Sequence, residues 1–379
     1  MRYKLGDIAP VQQGLVSTSD RYWLLNLDMV ESNTGKIIDY LYVEEDKIGA
    51  STIKFDENNV LYSKLRPYLN KVVLPNTNGY ATSEMLPLRP NTEIITREYL
   101  TYFLRSRTFV EYINEKTSGA KMPRANISDL KGVEIDCPSL EKQIRITTQI
   151  DNISSIINKR KAELDELDNL IKSRFVEMFG ERGKVVPLTD YVWFQEGPGV
   201  RTVDFTTEGT ILLTGSNIND NQISFGHKSD RFISDELANG KYAHFMCDKD
   251  DIIVVSSAIA PEKFDKKVTT VEEDKKYCLN TGIIRFKPNK EVMTLGYFRE
   301  FLKTDYFKHQ VMAEMRGIAQ MHFGPSHLKQ MTILLPESMK LQIEFETFVN
   351  QVDKLKFEVQ KSLDETKILM DSLMQQYFG

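Results

Sequence analysis

Cysteine is scarce, with three in 379 residues, at positions 137, 247 and 278. So few, and so scattered, they supply neither a disulfide framework nor a C-x-x-C zinc spacing, and they fit a reducing cytoplasm. Long apolar runs are missing too, and no stretch approaches the roughly 20 residues that cross a bilayer. The opening MRYKLGDIAP has no apolar h-region, so no secretory signal is expected. Catalytic signatures are equally absent: no G-x-x-x-x-G-K-[ST], no G-x-G-x-x-G, no H-E-x-x-H and no N-P-P-Y. A nuclease carboxylate cluster would begin with P-D, which never occurs, so Asp265-Lys266-Lys267 matches only its second half. His322 and His327, five apart, do not share a helix face and lack a third ligand. Nor is there an excess of positive charge: 49 basic against 54 acidic residues leave a net charge of −5, and no segment is a basic tail. These absences exclude a membrane protein and argue against an enzyme, a metal site or a cofactor. A nucleic-acid partner would require a local basic face made by folding.

What is present is a repeat. NISDLKGVEIDCPSLEKQI, from Asn126, returns about two hundred residues later as GPSHLKQMTILLPESMKLQI, from Gly324. Aligning Gly119 with Gly317 sets Tyr99 on Tyr297, Phe103 on Phe301, Leu104 on Leu302 and Phe109 on Phe307. Ser128, Leu130, Ile135 and Pro138 fall likewise on Ser326, Leu328, Ile333 and Pro336. After one extra residue in the second copy, Gln143-Ile144 matches Gln342-Ile343, and Phe179-Gly180 matches Phe378-Gly379. Upstream, LGDIAPVQQG from Leu5 resembles LTDYVWFQEG from Leu188. One unit is written twice, each time as a mixed domain followed by a long helix.

Both helices carry an apolar seam in steps of three and four, sustained over about five heptads, the pattern of a coiled coil. In the first copy it runs through Ile146, Ile150, Ile153, Ile157, Leu164, Leu167 and Ile171. In the second it runs through Phe345, Val349, Val352, Val359, Leu363 and Met370. Further apolar residues, Ile144 with Ile343, Ile156 with Leu355 and Leu170 with Leu369, widen each stripe beyond a two-stranded seam. Arg160 stands against Val359 and Lys356 against Ile157, polar breaks of the kind that fix register. The pattern predicts that the two helices pair antiparallel and hold the domains apart.

NVLYS, NKVVLP and DIIVVSS read as short strands. REYLTYFLRSRTFVEYINEKTSG and GYFREFLKTDYFKHQVMAEMRG read as helices stopped by Gly119 and Gly317. The expected fold is α+β with a pseudo-twofold internal repeat: domains at 1–139 and 182–338, and spacer helices at 140–181 and 339–379.

This layout resembles the specificity subunit of type I restriction–modification systems, in which two target-recognition domains alternate with two helical regions. The most specific pieces are VLYSKLRPYLNKVVLP from Val60, ATSEMLPLRP from Ala81, TSGAKMPRANISDLKGVEIDCPSLEKQI from Thr117 and the helix end LIKSRFVEMFG. Lys142-Gln143 and Leu341-Gln342 stand where the family has an E-Q-like pair. The second copy departs where VVSSAIAPEKFDKKV replaces YSKLRPYLNKV and loses the Arg-Pro-Tyr step. The resemblance implies a non-catalytic DNA reader that recognises a bipartite duplex target. It also implies two methyltransferase subunits as partners, with motor-nuclease subunits in the full complex.

Asn and Gln suit adenine, and Arg suits guanine. Candidate DNA contacts in the first copy are Lys121, Arg124 and Asn126 in the loop after the helix, with Lys64, Arg66 and Lys71 around the Arg-Pro-Tyr step. Their counterparts are Gln320 and His322, with Lys263, Lys266 and Lys267. The competing reading is a two-module adaptor that binds proteins or glycans, which the negative net charge favours.

Overall fold

The computed structural model describes residues 1–119, 121–180, 182–226, 228–313 and 322–379. It divides into two compact units, residues 1–162 with 360–379, and residues 163–359. Two long helices, Leu140–Met178 and Met339–Phe378, each contribute residues to both. Among the described residues, no helix is long and apolar enough to cross a membrane.

In the first unit the strand Arg2–Lys4 pairs antiparallel with Glu134–Asp136. The apolar VLYS becomes Val60–Ser63, buried throughout and placed between Val72–Val73 and Met85–Leu88. A second sheet runs in the order Leu41–Val43, Tyr22–Leu25, Gly79–Thr82, Thr52–Phe55, its middle pair parallel. Trp23 and Phe55 meet edge to face beneath it, ring centroids 5.2 Å apart. Gly79 is required there, because a Cβ would come within 2.6 Å of the Trp23 carbonyl.

The second unit repeats this plan. Lys184–Pro187 pairs with Thr332–Leu335. Ile252–Val255 lies between Val268–Thr270 and Ile283–Pro288. Thr210–Leu213 runs parallel to Tyr277–Leu279.

The helical run after Arg97 is interrupted. Helices Arg107–Glu115 and Arg97–Arg105 are separated by Ser106, whose backbone is extended and whose hydroxyl accepts the Phe109 N–H at 3.3 Å. A serine that satisfies a free helix N–H favours a new start over continuation. Its counterpart is split likewise into Leu295–Phe301 and Asp305–Ala313. The expected stop at Gly317 lies outside the described residues. A short helix, Ile127–Gly132, precedes the Glu134–Asp136 strand where the sequence suggested only a loop.

Each long helix starts on a buried glutamine. The Gln143 side chain accepts the Thr96 N–H at 2.9 Å and donates to the carbonyls of Ile94 at 2.8 Å and Pro138 at 2.9 Å. Gln342 accepts the Thr294 N–H at 2.9 Å and donates to the Val292 carbonyl at 3.1 Å. Both threonines cap the next helix, through Tyr99 and Tyr297, and both tyrosine hydroxyls donate to a strand carbonyl, Asp136 or Leu334.

Helix ends complete the cores. In the first unit Phe378 packs on Tyr99 at 5.0 Å, beside Ile146 and Ile150. In the second, Phe179 packs on Tyr297 at 4.8 Å, beside Phe345 and Val349. Within each unit, therefore, the start of one long helix packs with the end of the other. Lys356, a polar break in the seam, meets Asp168 at 2.5 Å.

Replacing Gln143 with Leu should leave the Thr96 N–H and two carbonyls without partners. The expected loss is about 1–3 kcal/mol or more, read as a lower urea midpoint at unchanged slope. Gln342→Leu should behave alike.

Candidate nucleic-acid interface

The first unit brings together residues far apart in sequence. The turn after Val60–Ser63 lies against the 117–126 loop through backbone bonds, Ala125 N–H to the Lys64 carbonyl at 2.8 Å and Arg66 N–H to the Pro123 carbonyl at 2.7 Å. Ser118 and Arg124 close the loop by exchanging backbone bonds at 3.0 and 3.2 Å. Lys64, Arg66 and Arg124 are thereby placed on one pair of adjoining loops, with Lys121 in the same loop as Arg124. Arg66 holds φ at 49°, in the left-handed region, where its following proline excludes ordinary helical backbone.

The side chains then separate into two groups. Arg124 is committed to Glu84, donating at 3.0 and 2.9 Å, and Lys64 lies 4.0 Å from the same carboxylate. Lys71 donates to the Leu27 carbonyl at 2.7 Å, and burial lowers its pKa. Asn126 caps Ile127–Gly132 by accepting the Ser128 N–H. The side chains of Arg66 and Lys121 are exposed and make no hydrogen bond or ion pair among the described residues.

The second unit uses the same backbone with different side chains. Phe323 N–H donates to the Ser256 carbonyl at 2.9 Å, as Ala125 does to Lys64. Ser256 N–H donates to the Gly282 carbonyl at 2.8 Å, as Lys64 does to Glu84. His322, in the place of Arg124, has Nδ1 2.8 Å from the Ser257 hydroxyl. Ala258, in the place of Arg66, keeps the left-handed turn with φ at 58°. Lys267 is spent on structure: its ammonium donates to the Gly215 carbonyl at 3.0 Å, the Ile218 carbonyl at 2.6 Å and Asn219 Oδ1 at 2.7 Å. Lys266 pairs with Asp220 at 3.3 Å and Asp165 at 3.7 Å. Lys263 is exposed and carries no such tie among the described residues. Gln320 lies outside them.

Sequence reasoning missed Glu84, Gly282 and Ser257. Extending the repeat alignment back from the helices, ATSEM onto LNTGI, would have paired Glu84 with Gly282 and exposed the exchange of a carboxylate for hydrogen.

On the long helices, Ile146, Ile150, Ile171, Phe345, Val349, Val352, Val359 and Leu363 are buried. Ile153, Ile157, Leu164, Leu167 and Met370 are half-buried. Ile144, Ile156, Leu170, Ile343, Leu355 and Leu369 are all exposed, so three equivalent pairs of apolar side chains face outward. The three cysteines are buried, and burial pushes Cys137 up to about 11 and Cys278 up to about 12, so both remain thiols at neutral pH. No group of three or more His, Cys, Asp or Glu among the described residues could hold a metal ion.

Residues 1–166 match the family described as type I restriction modification DNA specificity domain. The chain is 27% identical over 173 residues to the type I restriction enzyme EcoDI specificity subunit of Escherichia coli, covering 45% of this chain and 37% of that protein. It is 24% identical over 188 residues to the MjaIX specificity subunit of Methanocaldococcus jannaschii, covering 46% and 43%. The matches thus span less than half the length of these curated relatives. The fold is shared, over 100% of this chain, with the S subunit of a type I system from M. genitalium, at 15% identity and a TM-score of 0.56. It is shared equally with a chain solved in work on complex assembly and conformational transition of the type I R-M system, at 16% identity and a TM-score of 0.58.

The committed and uncommitted lysines should differ in what they do for the fold. Lys267→Met strips three oxygens of their donor and should cost about 1–3 kcal/mol. Lys263→Met should stay within about 0.5 kcal/mol of the parent. Paired urea titrations measure both.

Proposed function

For a chain whose first 166 residues belong to the type I restriction modification DNA specificity domain family, we propose the role of DNA-recognition subunit of a type I restriction–modification complex, acting in the cytoplasm. In this reading the domains at 1–139 and 182–338 each recognise one half of an asymmetric, bipartite duplex target. The spacer helices at 140–181 and 339–379 pair antiparallel, set the gap between the halves and dock two methyltransferase subunits. Motor-nuclease subunits join in the full complex. The chain itself carries no catalysis.

One observation supports this above the others. Two backbone bonds of the first unit's loop pair, Ala125 to Lys64 and Lys64 to Glu84, recur in the second as Phe323 to Ser256 and Ser256 to Gly282 with unlike side chains, as expected of two readers built alike for different sequences. A net negative charge does not oppose it, because phosphate contact needs only exposed cations at the right place. Arg66, Lys121 and Lys263 meet that need. Antiparallel pairing is supported by the core of each unit, where the first turns of one long helix meet the last turns of the other. Docking is supported by the six outward apolar residues, since equivalent pairs would give two like surfaces for two like partners.

DNA binding is tested with the assembled complex. Arg66→Ala with Lys121→Ala should weaken binding to all duplexes alike. If each arginine or lysine meets one phosphate, the slope of log K against log salt should fall by about 1.8. An unchanged slope in a folded variant removes these loops from the interface.

Docking is tested by co-purification. Ile144→Asp with Ile156→Asp should cost one methyltransferase of two, and Ile343→Asp with Leu355→Asp the other, with no change in unfolding midpoint. Spacing is tested by inserting seven residues after Ile157 and seven after Lys356. Seven residues add about 10 Å of helix, roughly three base pairs of DNA. The methylated motif should gain a longer gap between unchanged halves, and a constant gap would rule the helices out as a spacer.

A further inference from the structure

At one place the two loop pairs differ by more than an exchange of surface charge. In the first unit the space between the loops is filled by an ionic plug: Glu84 on one side, Arg124 and Lys64 on the other. All three equivalents in the second unit are smaller or lack the charge, namely Gly282, His322 and Ser256. The turn stays left-handed at Ala258, and the Ser256–Gly282 and Ser256–Phe323 bonds hold the loops at the first unit's spacing. Where Glu84 stands in the first unit, Gly282 borders a cleft of about 420 Å³ lined also by Gly215, Ser216, Ser257, Ala258 and Lys263, among others. That lies within the range of about 300–1,000 Å³ found for ligand sites.

The lining says what the cleft takes. Lys267 is on its wall, but its ammonium is consumed by three protein oxygens, and among the described lining residues Lys263 is left as the cation not committed elsewhere. A polyphosphate would face one available positive charge. The other polar groups are neutral donors and acceptors: the hydroxyls of Ser216, Ser257 and Thr281, with His322 held at its edge by Ser257. The carboxylate of Glu196 is near, accepting the Gly282 N–H at 3.4 Å. Between two lining residues, the Ser256 hydroxyl is fully buried without a partner among the described residues. Hydroxyls on a concave wall, one of them bonded to the His322 imidazole, with a lysine ammonium beside them, match the edge of a base pair flanked by its phosphate.

We propose that this cleft receives a base-pair edge of duplex DNA in the second half-site, that His322 is a specificity-determining residue, and that Lys263 holds the adjacent phosphate. The first unit has the same place plugged by its own ion pairs and reads from its exposed rim, at Arg66 and Lys121. The proposal rests on the function proposed above and adds how the two halves come to be read differently.

The test uses the chain assembled with its methyltransferase subunits. Sequencing of methylated genomic DNA defines the wild-type motif, and competition binding between duplexes differing at one base pair then measures discrimination. His322→Ala should reduce discrimination at one base pair of the second half by about 5- to 150-fold, leaving the first half and the gap unchanged. Lys263→Ala should weaken binding to every duplex alike, with the motif intact. A graft of the first unit's residues, Ser256→Lys with Ser257→Leu, Ala258→Arg and His322→Arg, should fill the cleft and abolish or change the second half alone. Should the graft fail to fold, His322→Ala decides the matter. Unchanged discrimination in folded His322→Ala overturns the proposal, as does equal loss at both halves. Neither result touches the function proposed above, which fails instead if the wild-type complex methylates no bipartite motif.

Discussion

A buried amide is the constraint on which this architecture turns. A long helix emerging from a mixed domain has no reason to leave at one angle unless its first turn is fixed. Gln143 and Gln342 supply that fix by bonding backbone groups at the head of a neighbouring helix. Glutamine suits the task because a single side chain both accepts and donates. In a site with no solvent exposure, mispairing would cost more than the bonds contribute. The amide ties three things into one geometry: the long helix, the threonine-capped helix and the strand held by Tyr99 or Tyr297. Departure from that geometry leaves several buried groups unpaired together.

The far end of each helix is fixed by packing instead. Phe378 and Phe179 close the cores of units that their own helices did not begin in, on the same tyrosines the glutamine-bound helices carry. The first unit is not complete as a continuous stretch of chain, since it needs residues 360–379, and the second takes in residues 163–178 of the first long helix. Truncating the second long helix would therefore remove core side chains, Phe378 among them, from a unit whose strands lie far away in sequence.

How much of this the sequence disclosed depended on the kind of signal. The long helices were legible because a seam of seven-residue period over many turns has few competing explanations, and eight of the thirteen residues it names are buried. The strands VLYS and DIIVVSS were legible as apolar, β-branched runs. Ser106 was not, because a serine within a helical pattern is read as tolerated until its hydroxyl is seen to accept a backbone N–H. Among the candidate contacts, charge alone does not tell side chains bonded within the protein from those left exposed. Lys71, Lys267 and Arg124 look like Lys121 and Lys263 in a sequence, yet the first three are bonded to protein oxygens. Which lysine is spent inward depends on carbonyls contributed by distant loops, and no local pattern carries that information.

The contrast between the loop pairs follows from the same economy of backbone. Once Ala125 and Phe323 are bonded to the turns beside them, the loops keep their separation whatever side chains they carry. Sequence change is then absorbed by the space between them, which is filled in one unit by Glu84 with its cations and open in the other over Gly282. The strained turn is itself independent of side chain, for it survives the exchange of Arg66 for Ala258. A scaffold of this kind lets the surface change its chemistry while its position stays set by hydrogen bonds that every residue can make. Positional constancy with chemical freedom comes here from main-chain bonds.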